Sequence, residues 1–386
     1  MKFKQDLEKK IFKIVKKKTG LHEPSFDQLD IKEVSKCIKS SFVSTYGYYV
    51  SKFEESLKKF TKSKYVIATN TGTSALHIAL KLVGVSKNTN VIVPTLSFVA
   101  TGNAVIYNDA VPIFMDSSEN SFCLDEKKLE KYLIFNTYYF KGKRYSKHNK
   151  KIISAIIVTH VFGSTSDMKK IIKIGKKYSI PVVEDCAEGL GSFYKKKHLG
   201  TFGDVGILSF NGNKIITSGS GGAIITNSKK KYLEALHIVS VSKIKHKWKF
   251  FHDRLGWNYR MSSLSASLGY SQLSKIKSFI NKKKILHKKY KKEFNGDKNY
   301  NLINLENNIN FKSNYWLNAL YINNPKISKK VILNHLNNKG LQCRPIWDLL
   351  HTLPYFKKFK AYDIKASKKL FDRVILLPSS TNLINS

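Results

Sequence analysis

From about residue 61 onward, short β-branched apolar runs alternate with stretches whose apolar positions recur at helical spacing. Tyr65–Ala68, Val91–Val93, Val111–Phe114, Ile153–Thr159, Pro181–Glu184, Val205–Ser209 and Gly222–Thr226 predict strands. Ser74–Val83 and Met168–Lys177 predict helices between them. This is the pattern of an α/β fold, a mostly parallel sheet flanked by helices. Near residue 260 the rhythm changes. Met261–Lys283 reads as one long helix, and short strands and helices follow as far as Leu377. The chain as read divides into an N-terminal helical segment (1–34), a large α/β domain (35–260) and a smaller α+β C-terminal domain (261–386). Lys291–Asn310, rich in Lys and Asn, reads as a loop or hairpin, and no internal repeat is visible. Residues 1–20 set eight lysines among Phe3, Leu7, Ile11, Phe12, Ile14 and Val15, an amphipathic helix expected to pack on the body of the protein. Attachment to a membrane surface is the alternative for it. A secretory signal would carry an apolar run free of lysine, which this segment lacks.

Composition narrows the function classes. With 386 residues, 42% hydrophobic and 12% aromatic, the chain can bury a sizeable core, which excludes wholesale disorder. No uninterrupted apolar run approaches roughly 18 residues, so no membrane-spanning helix is expected. Cys37, Cys123, Cys186 and Cys343 lie far apart and form no C-x-x-C pair. That argues against a metal site and a secreted disulfide framework, and a cytoplasmic location is expected. A net charge of +41 points, at face value, to nucleic acid. Only five of the 68 basic residues are arginine, however, and the lysines are spread along the chain with abundant Asn and Ile. The charge therefore reads as compositional bias, and no nucleic-acid partner is expected. An anionic small substrate suits the same field.

Three segments carry candidate chemistry. Asn70-Thr71-Gly72-Thr73-Ser74 follows a strand and opens a helix. Gly72 permits close backbone approach, and Thr73 and Ser74 add hydroxyls beside the first free N–H groups. Alone, the segment reads equally as an N-cap or a phosphate cradle. Asp185 stands where an apolar strand ends, the place where open α/β sheets bind ligands. It can cap a helix or hold the protonated nitrogen of a heteroaromatic cofactor. Lys214 enters a turn after the strand that ends at Ser209, with the Gly-rich Thr217–Gly222 segment behind it. A lysine taken at random is a solvated one; position within this segment is the signal. Together, a phosphate cradle, a strand-end carboxylate and a strand-end lysine suggest pyridoxal phosphate (PLP) chemistry.

The segments TNTGTSALHIAL, VIVPTLSFVATGNAVIY, VVEDCAEGLGSFYKKKHLGTFGDVGILSFNGNKIITSGSGG and LGWNYRMSSLSASLG resemble the nucleotide-sugar aminotransferases of the DegT group. HEPSF, FVSTYGYYVSKFEESL, EDCAEGLGS and LPSSTNL are similar to its legionaminic-acid-type branch, which acts on a UDP-linked 4-keto-6-deoxy-N-acetylhexosamine. The resemblance implies a PLP-dependent fold of type I, aspartate-aminotransferase-like, and a cytoplasmic enzyme of bacterial surface-glycan biosynthesis. It implies that Lys214 carries the cofactor as a Schiff base and that Asp185 holds its ring nitrogen. Glu188 stands where many members carry Gln or His near the phenolic oxygen. The ring of Phe98 stacks on the cofactor, and Gly72, Thr73, Ser74 and Ser209 hold its phosphate. Asn258 reaches the phosphate of a neighbouring subunit, which implies a homodimer with shared active sites. Members with histidine at the lysine position are dehydratases, so Lys214 favours transamination.

The implied reaction moves the amino group of glutamate, which leaves as 2-oxoglutarate, to C4 of the keto-sugar, with Lys214 shuttling protons. Arg344, in the expected C-terminal domain, suits capture of the donor carboxylate or nucleotide phosphates; a structural ion pair is the alternative. Trp347 and His351 are candidates for the same cleft, and His160, at a strand end, for substrate or supporting contacts. Arg260 either pairs across the dimer or fixes the loop carrying Asn258. Two other functions stay open: a C3 aminotransferase acting on a dTDP-linked keto-sugar, and a non-enzymatic basic binding protein on the same fold.

Overall fold

The computed structural model describes residues 2–306 and 310–384. An eight-stranded sheet runs in the order Tyr65–Thr69, Gly222–Thr226, Val205–Ser209, Val182–Asp185, Ile153–Thr159, Asn90–Pro94, Val111–Met115 and Ala361–Tyr362. Gly222–Thr226 is antiparallel to both of its neighbours, and every other pairing is parallel. Successive side chains of a strand point to opposite faces. Ile156 and Val158 accordingly enter one apolar core while Ala155 and Ile157 enter another on the far side. Both faces are covered, which is why these strands are apolar throughout.

Parallel pairing delivers Pro94, Thr159, Asp185 and Ser209 to one edge of the sheet. The antiparallel strand adds its beginning there, because Gly222 is in register with both Ser209 and Thr69. The fold thus brings the candidate segments together although they are far apart in sequence.

A four-stranded antiparallel sheet is built from Tyr300–Leu302, Asn318–Ile322, Val374–Leu377 and Arg344–Pro345. The N-terminal segment is a helix, Lys2–Val15, whose Leu7, Ile11, Ile14 and Val15 are buried with Leu286, Tyr290, Leu320 and Ile375. Its apolar face is therefore occupied by the C-terminal sheet and is not offered to a membrane. Among the described residues no helix is long and apolar enough to cross one.

Three expectations change. Met261–Lys283 is not one helix: Ser263–Ser274 and Ile276–Glu293 are separated at Lys275, whose N–H turns to the carbonyls of Gln272 and Leu273. The Lys275 ammonium is tied to Asp27 and Asp30 at the start of helix Gln28–Lys39. That helix runs through the division placed at residue 34, and Ala361–Tyr362 returns from the C-terminal part to the large sheet. The Lys- and Asn-rich stretch begins inside helix Ile276–Glu293 and contains strand Tyr300–Leu302; its residues 307–309 lie outside the described residues.

Candidate active site

A cavity of about 280 Å³ lies at the strand-end edge. Its floor is the start of helix Gly72–Leu82. Thr71 caps that helix through Ser74 N–H (2.9 Å), and Ala75 N–H bonds Thr71 O. Among the described residues, the N–H groups of Gly72 and Thr73 have no internal partner, so the helix presents free donors to the cavity. A Cβ on residue 72 would stand 2.8 Å from Ser209 Cβ, so only glycine lets this helix start press against the end of the Ser209 strand.

On the wall, the buried Asp185 carboxylate accepts from Thr101 Oγ1 (2.7 Å) and Ala187 N–H (3.2 Å). The Thr101 hydroxyl is itself 2.6 Å from Ser97 Oγ. Opposite stands Lys214, its Nζ 3.3 Å from Glu188 Oε1 and 4.4 Å from the centre of the Trp316 ring. The Trp316 indole N–H bonds Asn213 O (2.8 Å) and so pins the turn that carries Lys214. Phe162, in the left-handed region at φ 55°, aims its N–H at Glu188 Oε2 (2.8 Å). Phe98 and Trp347 close the rim. A second cavity of about 650 Å³ shares Phe98, Asn213, Trp316 and Trp347 with the first and adds Gln342, Arg344 and Asp348.

The model of the DegT/DnrJ/EryC1/StrS aminotransferase family matches residues 24–386. The chain belongs to this family. It is 33% identical over 366 residues to GDP-perosamine synthase of Escherichia coli O157:H7, covering 95% of this chain and 94% of that protein. It is 33% identical over 283 residues to a UDP-4-amino-4,6-dideoxy-N-acetyl-β-L-altrosamine transaminase of Campylobacter jejuni, covering 73% and 71%. Helicobacter pylori PseC, an aminotransferase of pseudoaminic acid biosynthesis, has the same fold, with TM-score 0.86, 24% identity and 95% of both chains covered. The protein is a PLP-dependent sugar aminotransferase.

The residues present fit that cofactor. The cavity offers unpaired helix-terminal N–H groups and the Ser209 hydroxyl for a phosphate, a buried carboxylate for a protonated ring nitrogen, and a shielded lysine amine. Gly72 leaves open the space that a Cβ would close.

Other expected site residues are placed differently within this DegT-family chain. Ser74 is buried against Thr71 (Oγ to Oγ1, 2.8 Å) and does not line the cavity. His160 is fully buried beneath it, 3.0 Å from Glu184. Burial alone would raise the Glu184 carboxyl; the His160 bond and charge and the N–H groups of Gly200 and Gly203 outweigh it and hold the carboxyl below its ordinary range. His351 bonds Thr95 through Nδ1 (2.7 Å) and borders neither cavity. Asn258 is exposed, its carbonyl within 3.5 Å of Asn70 Nδ2. Arg260 pairs with Glu54 of its own chain at 2.9 Å, which fixes the loop around Asn258. Sequence reading missed Thr101, Asn211 and Trp316. Only Thr101 had a local signal, one helical turn after Phe98.

Glu188 carries a strong electrostatic signature. Burial pushes its carboxyl up to about 7, with Lys214 and the Phe162 N–H opposing and Asp185 adding to the rise. The ordinary value is 4.5, so folding favours the protonated form. That stabilisation is complete below about pH 4.5 and lost as pH rises through about 7, an expected loss of about 3 kcal/mol in the cofactor-free protein. Glu188→Gln removes this dependence. The difference in unfolding midpoint between variant and wild type is therefore expected to grow across the window; a constant difference would show Glu188 ionised throughout.

Proposed function

We propose that this protein transfers the amino group of glutamate to C4 of a UDP-linked 4-keto-6-deoxy-N-acetylhexosamine, for bacterial surface-glycan biosynthesis. The observation that carries the reaction is the shielded Lys214 amine between Glu188 and the Trp316 face, in a cavity bounded by buried Asp185 and sharing wall residues with a second. The branch-like segments and the C. jejuni transaminase support the sugar. The E. coli relative, matched over a longer stretch, supports a GDP-linked keto-sugar as the second reading.

Bound PLP would supply an electron sink for the carbon that loses its proton. In the proposed arrangement Lys214 Nζ would be the group that takes up that proton and gives it back. Asp185 keeps the ring nitrogen protonated, and Thr101 holds the carboxylate in place from behind. The N–H groups of Gly72 and Thr73 and the hydroxyl of Ser209 hold the phosphate, while Phe98 and Ala187 bound the ring. Arg344, exposed beside the second cavity, takes the donor carboxylate or the nucleotide phosphates. A second copy of the chain, bringing Asn258 to the neighbouring phosphate, is supported by the exposed Trp248, Phe250 and Leu255 on the segment leading to it.

The test is the visible absorbance of the purified holoenzyme. Glutamate is expected to bleach it, and the UDP-linked keto-sugar to restore it. Restoration by the GDP-linked sugar alone would establish the second reading, and no bleaching by glutamate would remove the donor.

A further inference from the structure

The larger cavity has one wall with no assigned role. Residues 19–23 are held there from two sides. Thr19 N–H bonds Gly340 O (2.9 Å) and Gln342 N–H bonds Thr19 O (3.0 Å), while Ser379 N–H bonds Leu21 O (2.6 Å) and Glu23 N–H bonds Ser380 Oγ (2.8 Å). This fixes His22 against the cavity, its ring 6.3 Å from that of Trp316. Both ring nitrogens are shielded from solvent and lack a hydrogen-bond partner. The Asn213 main chain lies close enough to favour a proton on the ring, and its carbonyl, which accepts the Trp316 indole N–H, keeps a second lone pair for one ring N–H. A buried polar group left unpaired costs about 1–3 kcal/mol, so a rigidly held imidazole that keeps at least one nitrogen unpaired is a site waiting for a partner.

We infer that His22 is a specificity-determining residue that reads a neutral donor–acceptor group, a hydroxyl or an acylamino group, on the sugar of the amino acceptor. The inference rests on the substrate class proposed above. Burial first, and then the charges of Lys283 and Lys214, keep the imidazole neutral. A neutral imidazole has one N–H donor and one bare nitrogen acceptor, which matches a hydroxyl or a secondary amide. It offers no charge to a phosphate or carboxylate, whereas Arg344 on the same cavity does. His22 thus divides the work with Arg344: the ring reads the sugar and the guanidinium the anionic group. His22 precedes the residues matched by the family model and opens the HEPSF segment that resembles one branch of the family.

The experiment uses the holoenzymes of wild type, His22→Ala and His22→Gln, and follows each half-reaction by the cofactor's absorbance. The probes are glutamate, UDP-linked 4-keto-6-deoxy-N-acetylglucosamine and GDP-linked 4-keto-6-deoxymannose. His22→Ala is expected to raise the half-saturating sugar concentration about 10-fold or more, with the loss confined to the sugar half-reaction. His22→Gln, which keeps a donor and an acceptor, is expected to recover part of it. A loss seen only with the N-acetylated sugar assigns the acylamino group; a loss with both assigns a hydroxyl. Equal losses in both half-reactions would overturn the inference, because the ring would then be supporting Trp316 and the Lys214 turn. Unchanged sugar constants in a variant whose wild type turns the sugar over would sink the inference alone. A wild type that accepts glutamate but neither sugar would sink the substrate class and the inference together.

Discussion

Replacing Lys214 by alanine is expected to reduce transamination by about 10⁴-fold or more while leaving the unfolding midpoint near that of wild type. The amine is the shielded basic group of the cavity, and alanine can neither attach the cofactor nor carry a proton. The fold should tolerate the change because Lys214 sits in a turn whose main-chain bond to Asn211 and whose pinning by Trp316 through Asn213 do not use its side chain. With no amine at position 214 to attach it, any PLP the variant binds should lack the visible band of the lysine-linked form. Retained turnover would remove Lys214 from its proposed role. Mixing this variant with Asn258→Ala extends the test to the assembly. If Asn258 serves the neighbouring subunit's site, mixed dimers regain part of the activity; exchange of subunits without any recovery would refute shared sites.

The second large effect is expected at Asp185. Asp185→Asn should lower kcat by between about 10² and 10⁴-fold, with a smaller effect on stability. The carboxylate accepts from Thr101 Oγ1 and Ala187 N–H. An asparagine oxygen can keep one of these bonds, but its amide brings no negative charge to hold a proton on a ring nitrogen. An amide nitrogen turned toward Thr101 would meet a hydroxyl already engaged with Ser97. The measurement is single-turnover kinetics of the glutamate half-reaction together with the cofactor's dissociation constant. Near-normal turnover would make Asp185 a structural cap of the chain leaving its strand.

Much of the large sheet was legible because its strands are buried on both faces. Ile153–Thr159, Val205–Ser209 and Gly222–Thr226 keep the bounds their apolar runs predict; Tyr65–Thr69 and Val111–Met115 differ by a residue at one end, and Asn90–Pro94 and Val182–Asp185 by a residue at both. The eighth strand was not. Ala361–Tyr362 is two residues long among charged neighbours, and it joins the sheet because Phe114 N–H finds Lys360 O across the edge. The break at Lys275 was equally hidden. Nothing local interrupts the helical spacing there; the carboxylates that hold the lysine come from a helix more than two hundred positions earlier.

The same division holds at the site. Gly72, Asp185, Ser209 and Lys214 were readable because each is set by a local event: a strand ends, a helix starts, or a turn needs a small residue. Their types announce the chemistry, and parallel pairing has only to bring the ends to one edge. Thr101, Trp316 and His22 act through contacts made across the fold. A threonine inside a helix becomes Asp185's hydrogen-bond donor only when the sheet sets strands Asn90–Pro94 and Val182–Asp185 on either side of Ile153–Thr159. Trp316 becomes Lys214's wall only when the C-terminal sheet docks. His22 loses its water and gains no partner only because residues 340–342 and 379–380 grip the strap on both sides. Sequence alone therefore determined the reaction class, since catalytic residue types sit in short motifs whose conformations are local. The shape of the second cavity, and the side chains that face it, were decided by tertiary packing, because burial and partnership are properties of what surrounds a residue.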